Sequence, residues 1–348
     1  MNTLKLSKHL TGLTLLAASI AIPAQPVAPA DAAKRSGTAP SSSVKPRTAT
    51  LTPNTQLRTP LTASEQASVE SSTTINRIRT QQRIVIAFSK TASPFSVAQA
   101  DGSAAGFAID LCTKVALAIQ KQLKLSELRI EFVSPPFTER LQAVKEGKAD
   151  MECANTISNA ERKQTLGFSL PFFLTVSKAL VKNESPIVNL STLRGRNVVS
   201  TENSSSERIF KTINQKFLVG ANLISRPTAA AAFASLSKGE AEAFFMTDIV
   251  LYDLLAKAPD SAQYRVLRDA YSVDGIAVVL AKEDSGMKLV VDRELKRIMS
   301  DEEIGKLYTK WFASPIPPSN INLNLKMNQL TRDHYKRPSD EVNLNSLF

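Results

Sequence analysis

From Arg83 onward the chain alternates short β-branched runs with stretches whose apolar residues recur at helical spacing. Arg83-Ile84-Val85-Ile86-Ala87-Phe88 is an apolar run of strand length, and Phe107 to Leu123 sets Ala108, Leu111, Cys112, Val115 and Ile119 on one helical face. Arg129–Val133 and Ala149–Ala154 are predicted strands, separated by a short helix, Thr138–Lys145, with Leu141 and Val144 inward. After a break at Pro171–Thr175 a second series begins. Its predicted strands are Lys178–Val181, Asn197–Ser200, Leu223–Ser225, Ala243–Met246, Tyr264–Leu267 and Gly275–Ala281. Its helices start near Ser205, Thr228 and Asp248, and Ile209, Ile213 and Phe217 give the first an i, i+4, i+8 apolar face. Helices at Met287–Ile298 and Asp301–Phe312 close the pattern, and the tail from Pro315 is expected to run extended along a surface. Two βα series with a returning helix pair predict an α/β fold of two lobes, 81–175 with 283–348 and 176–282. The chain would cross between them near Phe173–Lys178 and Val279–Lys282. A ligand belongs at the C-terminal ends of strands, between the lobes.

The N-terminal residues break this pattern. Lys5 and Lys8 precede an apolar run, Leu10–Ile22, with small residues at Ala24, Ala30 and Ala33. This predicts an export signal over 1–24, with cleavage between 24 and 33; the run is too short to span a bilayer. Residues 25–80 are rich in Ser, Thr and Pro and hold none of the 15 Phe residues. That composition predicts a disordered linker. The formal charge of +11 does not imply nucleic acid, because acids are interspersed and the export signal removes the chain from it; a positive field around a cleft suits a small anion. Cys112 and Cys153 are compatible with a disulfide or with two buried thiols. The two histidines, His9 and His334, sit in the signal and the tail, and neither is placed for a site. No metal-ligand spacing, phosphate loop or nucleophile elbow is present, so no cofactor, metal or catalytic residue is expected.

Several segments resemble family 3 of the bacterial extracellular solute-binding proteins. They are Gly106-Phe107-Ala108-Ile109-Asp110-Leu111, Gly147-Lys148-Ala149-Asp150, Asn155-Thr156-Ile157-Ser158-Asn159-Ala160-Glu161-Arg162, Phe168-Ser169-Leu170-Pro171-Phe172, Leu190–Val198 and Gly305–Phe312. Asp150-Met151-Glu152-Cys153 and Pro315-Ile316-Pro317-Pro318-Ser319-Asn320-Ile321-Asn322 are similar to its glutamate/aspartate-binding branch. The resemblance covers about Ile84 to Asn345. It implies a type II periplasmic-binding-protein-like fold, with two α/β lobes that close about two hinge crossings on an amino acid. It further implies a periplasmic, monomeric receptor that delivers the amino acid to the membrane permease subunits of an ABC importer.

The matched positions make chemical sense for an amino acid. Arg162 matches the family's carboxylate-binding arginine, and a planar guanidinium donates two parallel hydrogen bonds to such a group. Asn203-Ser204-Ser205-Ser206-Glu207 stands where the family has G-T-T-x-E at a helix start, so Ser204 and Ser205 join the carboxylate clamp; the same residues also read as a capping box. By resemblance Arg140 holds a side-chain carboxylate. Asn155, Thr156 and Lys90 are further ligand candidates. Asp248, or Thr247 beside it, matches the ammonium position, and Asp248 also reads as an N-cap. The chain departs from the acidic-ligand branch at Ser89, Phe137, Ile157 and Ala229, where that branch carries Arg, Ser, Ser or Thr, and His. These losses predict either no affinity for glutamate or a reshaped, more apolar pocket. Two other readings fit the same fold: an exported sensor or partner-binding module, and a prephenate/arogenate dehydratase-like enzyme with Glu152 or Glu202 as proton-transfer carboxylate.

Overall fold

A computed structural model describes residues 47–48, 60–317 and 319–340, and for 47–48 the backbone alone. The expected export signal and most of the expected linker lie outside these residues. The strands are β1 (Arg47–Thr48), β2 (Arg83–Phe88), β3 (Thr91–Ala92), β4 (Ser96–Ala98), β5 (Ala104–Ala105), β6 (Arg129–Val133), β7 (Met151–Cys153) and β8 (Gly167–Phe168), then β9 (Phe173–Lys182), β10 (Asn197–Thr201), β11 (Asn222–Arg226), β12 (Ala243–Thr247), β13 (Tyr264–Val266), β14 (Val273–Ile276) and β15 (Val279–Leu280). The helices are α1 (Ala63–Ser71), α2 (Thr73–Gln81), α3 (Phe107–Gln122), α4 (Phe137–Lys145), α5 (Ser205–Lys216), α6 (Ala229–Ser237), α7 (Asp248–Lys257), α8 (Ser285–Ser300), α9 (Glu302–Phe312) and α10 (Gln329–Lys336).

The first lobe is built on a sheet of order β1-β6-β2-β7-β15-β8, in which β6, β2 and β7 are parallel. Its apolar strands are buried on both faces, as βα connections require. Ile84, Ile86 and Phe88 pack with α3, α8 and α9 on one side, while Val85 and Ala87 meet Val144 and Ala149 on the other. The second sheet runs β11-β10-β12-β9-β13, with β11, β10 and β12 parallel and β9 antiparallel to its neighbours. A small antiparallel sheet, β3-β4-β5, sits beside the first. Cys112 of α3 and Cys153 of β7 form a disulfide, which ties helix to sheet.

The lobes share a two-stranded ribbon. Residues Phe173–Val176 of β9 pair antiparallel with Ile276–Val273 of β14, and β9 then continues into the second sheet. The expected strand Gly275–Ala281 is in fact two strands in two places. β14 lies on the ribbon, whereas β15 returns to the first sheet, where Val279 pairs with Glu152 and Phe168. The return crossing therefore falls at 273–276 rather than 279–282, and residues 277–282 belong with the first lobe. An apolar run reports burial but not which sheet buries it, hence the shift.

Three further expectations are corrected. Residues 63–81, most of them expected as linker, form α1 and α2 instead. Thr62 and Glu65 make a capping box, Ser72 caps α2, and Val69, Ile75 and Ile78 are buried. Arg77 reaches Asp150 at 2.6 Å, and Asp284 accepts the N–H groups of Thr74 and Met287, capping α2 and α8 together. Phe217 is 62% exposed; α5 stops at Lys216, Leu218 is left-handed, and Phe210 fills the core instead. The tail contains α10, where buried His334 and Tyr335 bond the carbonyls of Pro171 and Phe172 beside the crossing, so this part is anchored rather than merely extended.

Candidate functional site

The site begins at β7, whose position between β2 and β15 buries Glu152 completely. Such a carboxylate needs a partner. Arg140, one turn into α4, supplies it at 3.2 Å, and the Thr156 hydroxyl donates to the same oxygen at 2.9 Å. The second oxygen, Oε2, has no partner among the described residues. Burial raises the Glu152 carboxyl above the ordinary range, with Arg140 opposing it.

Beyond β7 the chain turns through Asn155–Glu161 into a single 3₁₀ turn at Arg162–Gln164. The Arg162 guanidinium donates to the Ile157 carbonyl at 2.9 Å and lies over the Phe137 ring, 5.1 Å from its centroid. Arg140 covers the same ring at 5.3 Å, so Phe137 lies against both cations. No carboxylate lies within ion-pair distance of Arg162 among the described residues. Burial, and then the charge of Arg208, lower its pKa to about 10.

The second lobe faces this loop with the start of α5. Asn203 has φ +57, the left-handed region that glycine occupies freely and that Asn tolerates, which explains how it replaces the family glycine. Ser204 is the N-cap and accepts the Glu207 N–H at 3.0 Å, while Ser205 begins the helix with its side chain buried. Asn159 reaches across to Ser205 at 3.0 Å, and Glu161 pairs with Arg208 at 3.0 Å. On the ribbon side, Asp248 is the first residue of α7, with Thr247 as N-cap. Its Oδ1 accepts from the Thr175 hydroxyl (2.6 Å) and the Ile249 N–H (2.8 Å). Asp274 of β14 receives the Ser272 hydroxyl at 2.5 Å and feels both Arg162 and Asp248. Burial raises both aspartates.

The structure thus brings Arg162, Arg140, Thr156 and Ser205 to one cleft, with Ser204 capping beside them and Asp248 at the ribbon. Asn155 is half-buried and makes no side-chain hydrogen bond among the described residues. Lys90 is exposed, with no side-chain partner among them. Arg140, expected to hold a ligand's side-chain carboxylate, is paired here with Glu152. Asn159, Asp274 and Arg208 were not among the expected site residues, and Glu152 entered only as the carboxylate of the alternative enzyme reading. Asn159 stood inside a quoted motif and Arg208 three residues after Ser205, but their meeting spans two lobes. A cavity of about 860 Å³ lies elsewhere, between α1, α8 and α10. Several of its charges are already paired, Lys288 with Asp292 and Asp340, Arg297 with Glu294 and Glu303. In the cleft, by contrast, Arg162 has no carboxylate partner among the described residues, which makes the cleft the candidate site.

The sequence profile of the bacterial extracellular solute-binding proteins, family 3, matches residues 84–314. The chain belongs to that family. Among family 3 relatives, the L-glutamate/L-aspartate-binding protein of Pseudomonas aeruginosa is 32% identical over 270 residues, 77% of this chain and 89% of that protein. The glutamate/aspartate import solute-binding protein of Escherichia coli is 26% identical over 298 residues, 86% and 98% of the two chains. A solved substrate-binding protein of an amino acid ABC transporter is 25% identical, with a TM-score of 0.55 over 66% of this chain and 99% of that one. Family 3 membership and the two-lobed type II fold therefore agree.

Proposed function

We propose that this family 3 protein is the amino-acid-binding component of an ABC-type importer, working in the periplasm. One observation carries the reading. Arg162 is a charged side chain held by an aromatic ring and a single carbonyl, with no carboxylate at ion-pair distance among the described residues, facing the N-terminus of α5. An α-carboxylate is the group that both features complement. Asp248 and Asp274 then stand on the ribbon side as partners for the ammonium. The side chain would lie toward Phe137, Arg140 and Glu152. The names of the relatives favour glutamate or aspartate, and Arg140 favours a side-chain acceptor. Its bond to Glu152 tempers that preference, because a ligand carboxylate would meet the uncompensated Oε2.

The reading is tested by thermal shift of the protein lacking residues 1–33 against the twenty L-amino acids, since a ligand bound only by the folded state raises the midpoint. Glutamate or aspartate is expected to raise it, and Arg162→Ala to abolish the rise. Silence across all twenty would sink the proposal; a response to a neutral amino acid alone would sink only the acidic preference. Prephenate and arogenate are expected to remain unchanged on incubation, and turnover of either would favour the dehydratase reading. Stimulation of the ATPase of the matching permease in liposomes tests the importer assignment against the sensor.

A further inference from the structure

The hydroxyl of Ser205 is approached from both lobes. From the first, Asn159 donates through Nδ2 at 3.0 Å. The orientation of that amide is set by its other end, because Oδ1 accepts the Arg162 backbone N–H at 2.9 Å. From the second, Arg208 Nη2 lies 3.3 Å from the same oxygen, held there by its ion pair with Glu161. A serine hydroxyl has two acceptor lone pairs and one proton, and neither an amide NH₂ nor a guanidinium can accept. Both lone pairs are therefore occupied and the proton is left for a third partner. Among the described residues no group accepts it, although Ser205 is buried, where an unused donor is costly.

We infer that Asn159 and Arg208 are positioning residues that turn Ser205 into an obligate hydrogen-bond donor to the carboxylate of the ligand. This inference rests on the amino-acid-binding reading and deepens it. One amide connects both arms of the clamp, since Asn159 holds the backbone of Arg162 and the hydroxyl of Ser205 together. Asn159 and Arg208 come from opposite lobes, so the donor is completed only on closure. An open cleft leaves Ser205 free to accept as well as donate; a closed one selects for an acceptor. Arg208 also sits near enough to Arg162 to disfavour its charge, and an anion between the two relieves that repulsion.

The test is a double-mutant cycle read by calorimetry, using the twenty L-amino acids and, for those that bind, their α-amides. Ser205→Ala and Asn159→Ala are each expected to weaken the acid about tenfold, as loss of a hydrogen bond to a charged group implies. The double variant should fall well short of the product of the two single effects, because Asn159 acts in large part through that hydroxyl. Asn159→Asp keeps the shape but offers an acceptor, so Ser205 would donate to it and binding should fall at least as far. Arg208→Gln, at the more exposed end, should weaken binding about threefold and narrow the preference for acid over amide. Multiplying effects of Asn159→Ala and Ser205→Ala would overturn the inference while leaving the amino-acid site intact, as would wild-type binding by both Arg208→Gln and Asn159→Asp. If no amino acid binds the wild-type protein, the parent reading falls and this inference with it.

Discussion

Replacing Arg162 by methionine removes a charge from the cleft while keeping a side chain of similar reach, with a thioether able to pack on Phe137. Burial and the nearby Arg208 lower the pKa of this guanidinium from its ordinary value to about 10, so the folded, empty protein disfavours its charge. For a fully buried group that difference amounts to about 3 kcal/mol. Arg162 keeps partial contact with solvent, which reduces the cost to about 2 kcal/mol. Losing the hydrogen bond to the Ile157 carbonyl returns about 1 kcal/mol. The ligand-free variant should therefore be about 1 kcal/mol more stable than the wild type, a rise in Tm of roughly 2–4 °C for a folded body of this size. The guanidinium stays charged throughout pH 5–8, so the gain should persist over that range. Differential scanning calorimetry of the two empty proteins measures it, and a repeat with saturating ligand should reverse the order. A variant that melts lower than the empty wild type would show that Arg162 holds the fold together, and the reasoning that makes it an unpaired ligand residue would fail.

Other consequences can be checked separately. Cys112→Ala with Cys153→Ala opens a loop with a sequence separation of 41, and chain-entropy arguments put the loss at up to about 4 kcal/mol; urea unfolding should show it, and thiol reduction of the wild type should match it. Asp284→Asn should cost about 1 kcal/mol at neutral pH by weakening two helix starts. Burial raises the Asp284 carboxyl, but hydrogen bonds from Ser72, Met287 and Thr74 outweigh it and hold the pKa below normal. Its contribution is thus full above the unfolded value and is lost as pH falls through the lower folded one, so the gap between wild type and variant should close in acid. Gly286→Ala would set a Cβ 2.2 Å from the Ser68 carbonyl, forcing α1 off α8; a Tm drop confined to proteins that retain residues 60–81 is the expected signature. Tyr335→Ala should cost about 3 kcal/mol by emptying a buried aromatic site, and an unchanged chemical denaturation midpoint would show that α10 is not anchored.

The helix and strand rhythm of the second lobe was legible because its elements carry regular apolar spacing between turn residues. Helices α1 and α2 were not, since only Val69, Ile75 and Ile78 bury themselves among polar neighbours, too few to alter a composition that looks like linker. Spacing also misled at Phe217, which fits the periodic face of α5 yet lies one residue past its end. In the site, the local motifs located Arg162 and the start of α5. What they could not supply was pairing across the fold. Arg140 reads as a free cation until Glu152 is seen beside it, and Asp274 is one polar residue in an apolar stretch until the ribbon sets it between Arg162 and Asp248. The disulfide belongs to the same class, because only the packing of α3 on the sheet brings its two sulfurs together.

The ribbon formed by β9 and β14 has a bearing on how the chain folds. Everything between its two crossings is one uninterrupted segment, whereas the first lobe needs β15 and the three last helices, all encoded after that segment ends. As the polypeptide emerges N-terminus first, the second lobe has its whole sequence available before the first lobe does. The first must hold β2, β6 and β7 waiting for partners that arrive more than a hundred residues later, and contacts so distant in sequence form slowly. The inserted lobe should acquire protection against hydrogen exchange earlier than its host. Delivery of the C-terminal helices then becomes the step that completes the cleft, so binding competence appears last.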